Sequence, residues 1–400
     1  MQTNVENGCK MGLIRPTYKI ILPDQTGGFD VQWKSCLQQL LYESTNSELK
    51  PVRVNIFLQS QNQNDYLSQI HIIEKTIYET FGPNCPPFGA VMQEPEDPYL
   101  VIVEAAFVNR HAAKLTYGKF GNRSYCIVDA NSYKEYWTVG AQAVLPGNSI
   151  LDSSNAAFVY LQKLYDHLGL TFNNIVRQWN YVGEILRKEE IDGRERQHYQ
   201  MFNETRSRFY KQFRTCSDFP AATGIGMLYS GVCVDSFSVT GNENLKVVPI
   251  SSPVQTESYQ YGQKVLIGAP DCQLQQNQPP QFERAKLIVL KNASRLIISG
   301  TASISGEDTV GIGDVEEQTR VTIKNIEALA SAENLKRQCP EMKSIPETYS
   351  YVRVYVKHKR DIPAVRSICS GAYGNTPATF VVADICRDNL LVEIEAELIS

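Results

Sequence analysis

The chain closes on 390-LLVEIEAELIS-400, where Glu393, Glu395 and Glu397 alternate with Val392, Ile394 and Ala396. A period of two predicts a strand with a carboxylate face and an apolar face. A different period precedes it in 314-DVEEQTRVTIKNIEALA-330. There Val315, Thr319, Ile323, Ile326 and Leu329 form one stripe of a helix, with Asp314 as N-cap and Glu317 three residues on, a capping-box pattern. Between these two elements lie YVRVYVKH, a strand, and IPAVRSICSGAYG, a short helix.

The same order of elements occurs three times. From about 17 to 108 it runs YKIIL, a helix near 30–44, VRVNIFL, a helix near 65–81, Pro86-Pro87, then the strand LVIVEAAF. From about 124 to 240 it runs YCIVDA and WTVGAQAV, then a helix at 153–168 with Phe158, Leu161, Leu164 and Leu168 on one face. IVRQWNYV, a helix near 196–213, Phe219-Pro220-Ala221 and VCVDSFSV complete that copy. The third copy opens with AKLIVLKN and RLIISGTASIS and spans about 282–400. From Pro87, Pro220 and Pro377 to Glu104, Asp235 and Glu393 the spacings are 17, 15 and 16 residues, and the middle strands carry Arg53, Arg177 and Arg353. This is the signature of an internal repeat. Each copy reads as β-β-α-β-α-β, an α+β unit with two helices on one face of a mixed sheet. The bare faces are expected to pack together around a pseudo-threefold axis, leaving clefts between neighbours. The expected division is an N-terminal extension over 1–16, a structural first unit over 17–123 and a substrate-binding second unit over 124–240. An irregular, Gln- and Pro-rich connector over 241–281 precedes the third unit over 282–400, which carries the catalytic chemistry.

Composition narrows the function. The 39 basic and 43 acidic side chains leave a net charge of −4, against a nucleic-acid surface. Ten scattered cysteines without a C-x-x-C, and five histidines, predict no metal site and a reducing compartment. No run approaches the about 18 apolar residues of a membrane span, and no apolar leader opens the chain. The expectation is a cytoplasmic protein, a monomer because the trimer is already fused, with no membrane or nucleic-acid partner and no cofactor, since no phosphate-binding glycine loop occurs.

Two resemblances follow from the motifs. ISGTASI, the capped helix after Gly313-Asp314, and PAT…LLVEIEAE resemble the RidA/YjgF (L-PSP) family, which implies three fused RidA-like units. The deaminase arginine of that family, two residues after the Pro, is replaced by Gly89, Ala222 and Thr379, which argues against an enamine or imine deaminase. VRQWNY, YQMFNETRSRFY, FPAATGIG, SYQYG, QFERA, SGTASISG, GDVEEQTRVTIKNIEAL and ADICRDNLLVEIE, in that order, are similar to chorismatases. That resemblance implies cleavage of the enol-pyruvyl ether of chorismate, giving pyruvate plus a hydroxybenzoate or a dihydroxycyclohexadiene carboxylate. One departure is Gly306-Glu307-Asp308-Thr309-Val310-Gly311, where chorismatases tend to carry two histidines. It leaves open a small-molecule binding protein that has lost the chemistry.

Such a reaction needs a proton donor with a raised pKa, cations for two carboxylates and a dry pocket. By resemblance, Glu393 is the general acid. Arg177 and Arg206 are the candidate clamps, because guanidinium binds carboxylate through two parallel hydrogen bonds. Asn203 and Tyr210 share a helix face with Arg206, and Tyr181 and Arg353 lie on middle strands. Tyr259 and Tyr261 offer hydroxyls from the connector. Gly300, Thr301 and Ala302 let a ring approach the backbone. By resemblance, Cys386 marks the hydroxybenzoate-forming branch. Glu395 and Glu397 are expected to be solvated or interface charges.

Overall fold

A computed structural model describes residues 12–143 and 149–400; the first eleven residues of the expected N-terminal extension lie outside the described residues. Among the described residues no helix is long and apolar enough to cross a membrane. Three mixed sheets carry the chain. The first has the order Thr17–Ile21, Val101–Asn109, Leu49–Leu58, Phe88–Val91. The second repeats it with Tyr133–Ala143, Val232–Gly241, Ile175–Gly183 and Ala221–Met227, and the third with Ala293–Ala302, Val392–Ile399, Thr348–Val356 and Ala378–Val382. In all three, the first two pairings are antiparallel and the last is parallel.

The helices fall where periodicity places them, within three residues: Phe29–Thr45, Gln63–Phe81, Ile150–Leu168, His198–Phe213, Val315–Ala330 and Ile362–Tyr373. Each sheet buries one face under its own two helices. In Val392–Ile399 that face is Val392, Ile394, Ala396 and Leu398, packed with Ile323, Ile326 and Val365. Asp314 caps its helix by accepting the Glu317 N–H at 3.0 Å. The reciprocal half of a capping box is not formed, because the Asp314 N–H is taken by the Gly311 carbonyl at 3.0 Å.

Four features differ from the expectation. Each copy has a further short strand after its proline, Phe88–Val91, Ala221–Met227 or Ala378–Val382. The two four- and five-residue runs are too short to declare a period, and Gly224 and Gly226 interrupt the third. Lys114–Phe120, assigned to the first unit, pairs with Arg123–Asp129 in the second sheet. Leu245–Ile250, inside the supposed irregular connector, is an edge strand on Ala285–Leu290. The fourth is register. Glu104 lies opposite Asn55, Asp235 opposite Trp179 and Glu395 opposite Arg353. By partner (Arg353 and Thr379 for Glu104, Arg53 for Asp235, Arg177 and Thr223 for Glu395), the residue equivalent to Glu104 and Asp235 is Glu395, and Glu393 corresponds to Ile102 and Cys233, opposite Phe57 and Tyr181. Irregular register steps in these ladders defeat alignment by residue counting.

The faces turned away from the helices meet in one shared core containing Phe57, Trp179, Tyr181, Tyr351 and Tyr355. Through it runs a cycle of ion pairs. Arg53 Nη2 of the first sheet meets Asp235 Oδ2 of the second at 3.1 Å. Arg177 Nη2 of the second meets Glu395 Oε2 of the third at 2.8 Å. Arg353 of the third donates from Nε to Glu104 Oε2 of the first at 3.0 Å, and its Nη1 lies 3.2 Å from Glu395. Beside this cycle Arg295 bridges Glu135 at 3.1 Å and Glu397 at 2.7 Å. No side chain in these pairs is more than 3% exposed. Of the two expectations for Glu395 and Glu397, solvated charges are overturned and interface charges hold: the second face of this strand is also interior and meets the other sheets.

Breaking a buried pair leaves its partner charged and dry, at a cost of about 3–5 kcal/mol. Arg353→Met strips Glu104 of its guanidinium and should lower the unfolding free energy, measured by urea denaturation, by that order. A loss below about 1 kcal/mol, in the range of an exposed pair, would show that the cycle adds no net stability.

Candidate active site

A small enclosed cavity of about 40 Å³ lies where the second and third sheets meet. Its walls come from Ala222 and Gly224 on one strand, and from Gly300, Ala302 and Glu393 on two others. Tyr199 closes it from the helix His198–Phe213, Tyr261 covers it from the connector, and Phe282 and Arg284 from the start of the third unit. Cys386 and Arg387, from the loop before the last strand, complete the lining.

Glycine is required twice. A Cβ on Gly300 would stand 2.0 Å from Glu393 Oε1, and one on Gly224 would stand 2.9 Å from the Tyr199 ring. The ladder between Ala293–Ala302 and the last strand shifts register between Ile298 and Thr301. This bulge sets Gly300 against the Glu393 carboxyl. Thr223 Oγ1 holds the bulge by accepting the Gly300 N–H at 3.0 Å, while donating to Glu395 Oε2 at 2.6 Å.

The two neighbouring carboxylates have opposite fates. Glu395 also accepts from Trp179 Nε1 at 2.8 Å, Tyr351 Oη at 3.1 Å and Tyr355 Oη at 3.2 Å. Despite burial, Arg353 and Arg177 hold its pKa down to about 2. Glu393 is 5% exposed, and its carboxyl makes no hydrogen bond to another described side chain. Burial, then the charge of Glu395, pushes its pKa up to about 8, and Arg177 and Arg284 oppose this only in part. At neutral pH Glu393 is therefore a protonated acid beside a permanently ionised neighbour. Burial, then Glu393, pushes the Cys386 thiol up to about 12, so it stays a neutral thiol.

The expected site residues separate into groups. Glu393, Tyr261, Gly300, Ala302 and Cys386 share the cavity. Arg177 and Arg353 are committed to the ion-pair cycle, and Tyr181 accepts from Arg353 Nη1 at 3.0 Å, so none of the three is a cavity clamp. Thr301 pairs with Ile394, on the helix face of the sheet. Tyr259 packs on Phe219, with ring centroids 5.2 Å apart. Tyr210 donates to Gln178, and Asn203 accepts from Arg206 Nη2 at 2.7 Å, both outside the cavity lining.

Arg206 is different from the other interior arginines. It is 1% exposed, its Nε has no partner and it pairs with no carboxylate among the described residues. Its charge reaches Tyr199, the cavity's wall. Two further guanidiniums line the cavity and were not singled out from the sequence. Arg284, 3% exposed, donates to the Tyr261 hydroxyl at 2.8 Å and to the Thr256 carbonyl. Arg387 donates to the Glu307 carbonyl at 2.6 Å, and its Nη2 is unpartnered. Both stood inside recognised strings, QFERA and ADICRDN. What was missing was the knowledge that Arg284 is buried without an ion-pair partner and that the half-buried Arg387 turns to the same cavity.

The 306–311 stretch that lacks histidine anchors the cover. The Glu307 carboxylate accepts the Gly262 N–H at 2.8 Å and meets Lys264 Nζ at 3.1 Å, fixing the segment beside Tyr261. Among the described residues no cluster suited to a metal ion occurs.

Comparison with known proteins bears on the family and the fold. Residues 123–238 match the family described as chorismatase FkbO/Hyg5-like, N-terminal. A 3-hydroxybenzoate synthase of Streptomyces hygroscopicus is 31% identical over 261 residues, covering 64% of this chain and 72% of that protein. A chorismatase of Streptomyces rapamycinicus is 32% identical over 237 residues, covering 58% of this chain and 66% of its own length. A chorismatase crystal structure superposes with a TM-score of 0.68 at 21% identity, covering 96% of this chain and 98% of the other, which establishes a common fold. With its repeated sheets, its buried acid and this similarity, the chain belongs to the chorismatase family.

Proposed function

We propose that this protein cleaves the enol-pyruvyl ether of chorismate, with Glu393 as general acid. The observation that carries the reading is a protonated carboxyl facing a cavity lined by Arg284 and Arg387, with the charge of buried Arg206 reaching its Tyr199 wall; Arg206 and Arg284 form no ion pair with a described carboxylate. A buried cation without a counter-ion is costly, and a dianionic substrate supplies two. In this reading the Glu393 proton goes to the methylene carbon of the enol ether. The resulting oxocarbenium ion is trapped by water, giving a dihydroxycyclohexadiene carboxylate and pyruvate with one water consumed. Trapping by the ring's own hydroxyl instead gives a hydroxybenzoate and pyruvate with no net water consumed. The cavity as closed is smaller than such a ring, so entry requires the Tyr261–Arg387 cover to lift; that guanidinium lies 5.1 Å from the Tyr261 ring. Cys386, a neutral thiol beside Glu393, favours the hydroxybenzoate branch by filling space a water would take.

The direct test is incubation of the protein with chorismate, following pyruvate enzymatically and the ring product by chromatography. Absence of pyruvate above background would overturn the catalytic reading and leave a binding protein. Glu393→Gln removes the proton, and kcat should fall by about 10²–10⁴, the usual worth of a general acid.

The pH dependence has a defined sign. The active form is the acid, so kcat/KM should hold at neutral pH and fall as pH rises through about 8. Stability follows the same proton. The folded pKa exceeds the ordinary value of 4.5, so wild type loses stability relative to Glu393→Gln as pH rises from there to about 8. Chemical denaturation of both proteins across that window measures it, and parallel curves would contradict a buried neutral acid.

Gly300→Ala places a methyl group against the acid. It should lower kcat by about 100-fold, the cost of moving a reacting group by about 1 Å, with the far-ultraviolet circular dichroism unchanged. Retention of full activity would remove Glu393 from its assigned position.

A further inference from the structure

The cyclic arrangement makes a second junction, between the third sheet and the first, with the same construction as the candidate active site. Around Glu395 the contacts are Arg177 and Thr223; around Glu104 they are Arg353 and Thr379, the latter donating to Glu104 Oε2 at 2.8 Å. Two residues earlier on each closing strand stand Glu393 and Ile102, opposite Tyr355 and Phe57. At the remaining junction the position is Cys233, and Arg123 lies over Gly140. The Ile102 junction is open. It encloses about 240 Å³, larger than the cavity around Glu393.

Its chemistry is distinct from that of the first cavity. Ile20, Ile102 and Phe380 form an apolar floor, and Tyr99 and Arg366 stand at the rim. The Arg366 guanidinium lies over the Phe380 ring, 4.0 Å from its centroid. Its ion pair with Glu96 is more than a third exposed on the arginine side and about a third on the other, so the pair is of the weak, solvent-screened kind. A ligand carboxylate can replace Glu96 there while its ring covers the floor, which the exposed pair cannot do.

We propose that this junction is a second, non-catalytic site for a small aromatic monocarboxylate. Ile102 has no proton to give, so the ligand is held and not transformed. The site is independent of the function assigned to Glu393, and its test does not require turnover.

The probe is 4-fluorobenzoate, followed by ¹⁹F NMR on the full-length protein, with 4-fluorobenzyl alcohol as the uncharged control. Expected results are saturable binding of the acid, weaker binding of the alcohol, and about a tenfold loss of affinity in Arg366→Ala, as for one charge-assisted contact. Ile102→Trp, which fills the floor, should abolish binding, while Glu393→Gln should leave it unchanged. Arg366→Ala, at a partly exposed position, keeps the test valid if Ile102→Trp fails to fold. Either of two results overturns the proposal: no saturable binding at millimolar probe, or binding lost in Glu393→Gln and untouched in Arg366→Ala.

Discussion

The molecule is organised around buried guanidinium–carboxylate pairs that run in one direction around its centre. Each sheet offers an arginine to the next and a carboxylate to the one before: Arg53 to Asp235, Arg177 to Glu395, Arg353 to Glu104. Hydrophobic burial alone would let three sheets slide, since apolar contact is non-directional. Interior ion pairs penalise any slip that separates charge in a dry environment. They therefore fix the sheets relative to one another, and so the walls of the clefts between them.

That constraint also makes the acid. Glu393 and Glu395 are two residues apart on one face of one strand, with the same side-chain chemistry. Glu395 takes the hydrogen bonds and both guanidiniums, so its charge is secured. Glu393 is left with burial and a fixed negative neighbour, and both favour its proton. Removing the pairing from Glu395 would therefore alter Glu393 as well, by freeing Arg177, which acts on both. Thr223 links the two, bonding Glu395 on one side and the Gly300 backbone that touches Glu393 on the other.

Periodicity was enough for the helices, the closing strands and the threefold repetition, because each buries an apolar stripe under its own layer. It failed for the short parallel strands and for Leu245–Ile250, whose pairing depends on a partner remote in sequence. It failed again for register, because irregular pairing steps change the count between a proline and its carboxylate. The acid was legible only through resemblance; VEIEAE by itself suits an exposed edge equally well. The arginines were the hardest part. Arg177 and Arg206 were the candidate clamps, with Arg353 a site candidate on a middle strand, and Arg284 and Arg387 were not singled out. Which guanidinium lacks an acid is a property of the assembled core and of no local pattern.

This distinction carries the functional argument further than the fold does. Arg53, Arg177, Arg295 and Arg353 are buried and each is matched by a carboxylate. Arg206 and Arg284 are as deeply buried and are not matched. Where the ion-pair cycle matches its own guanidiniums, the surroundings of this cavity are left with unmatched ones, and that excess is positive, as a dianion requires. The fused repeat makes such asymmetry possible. An identical-subunit trimer places the same residue at all three junctions, whereas here the equivalent positions hold Ile102, Cys233 and Glu393. One junction could therefore acquire an acid while the ion pairs that hold the other two remained intact.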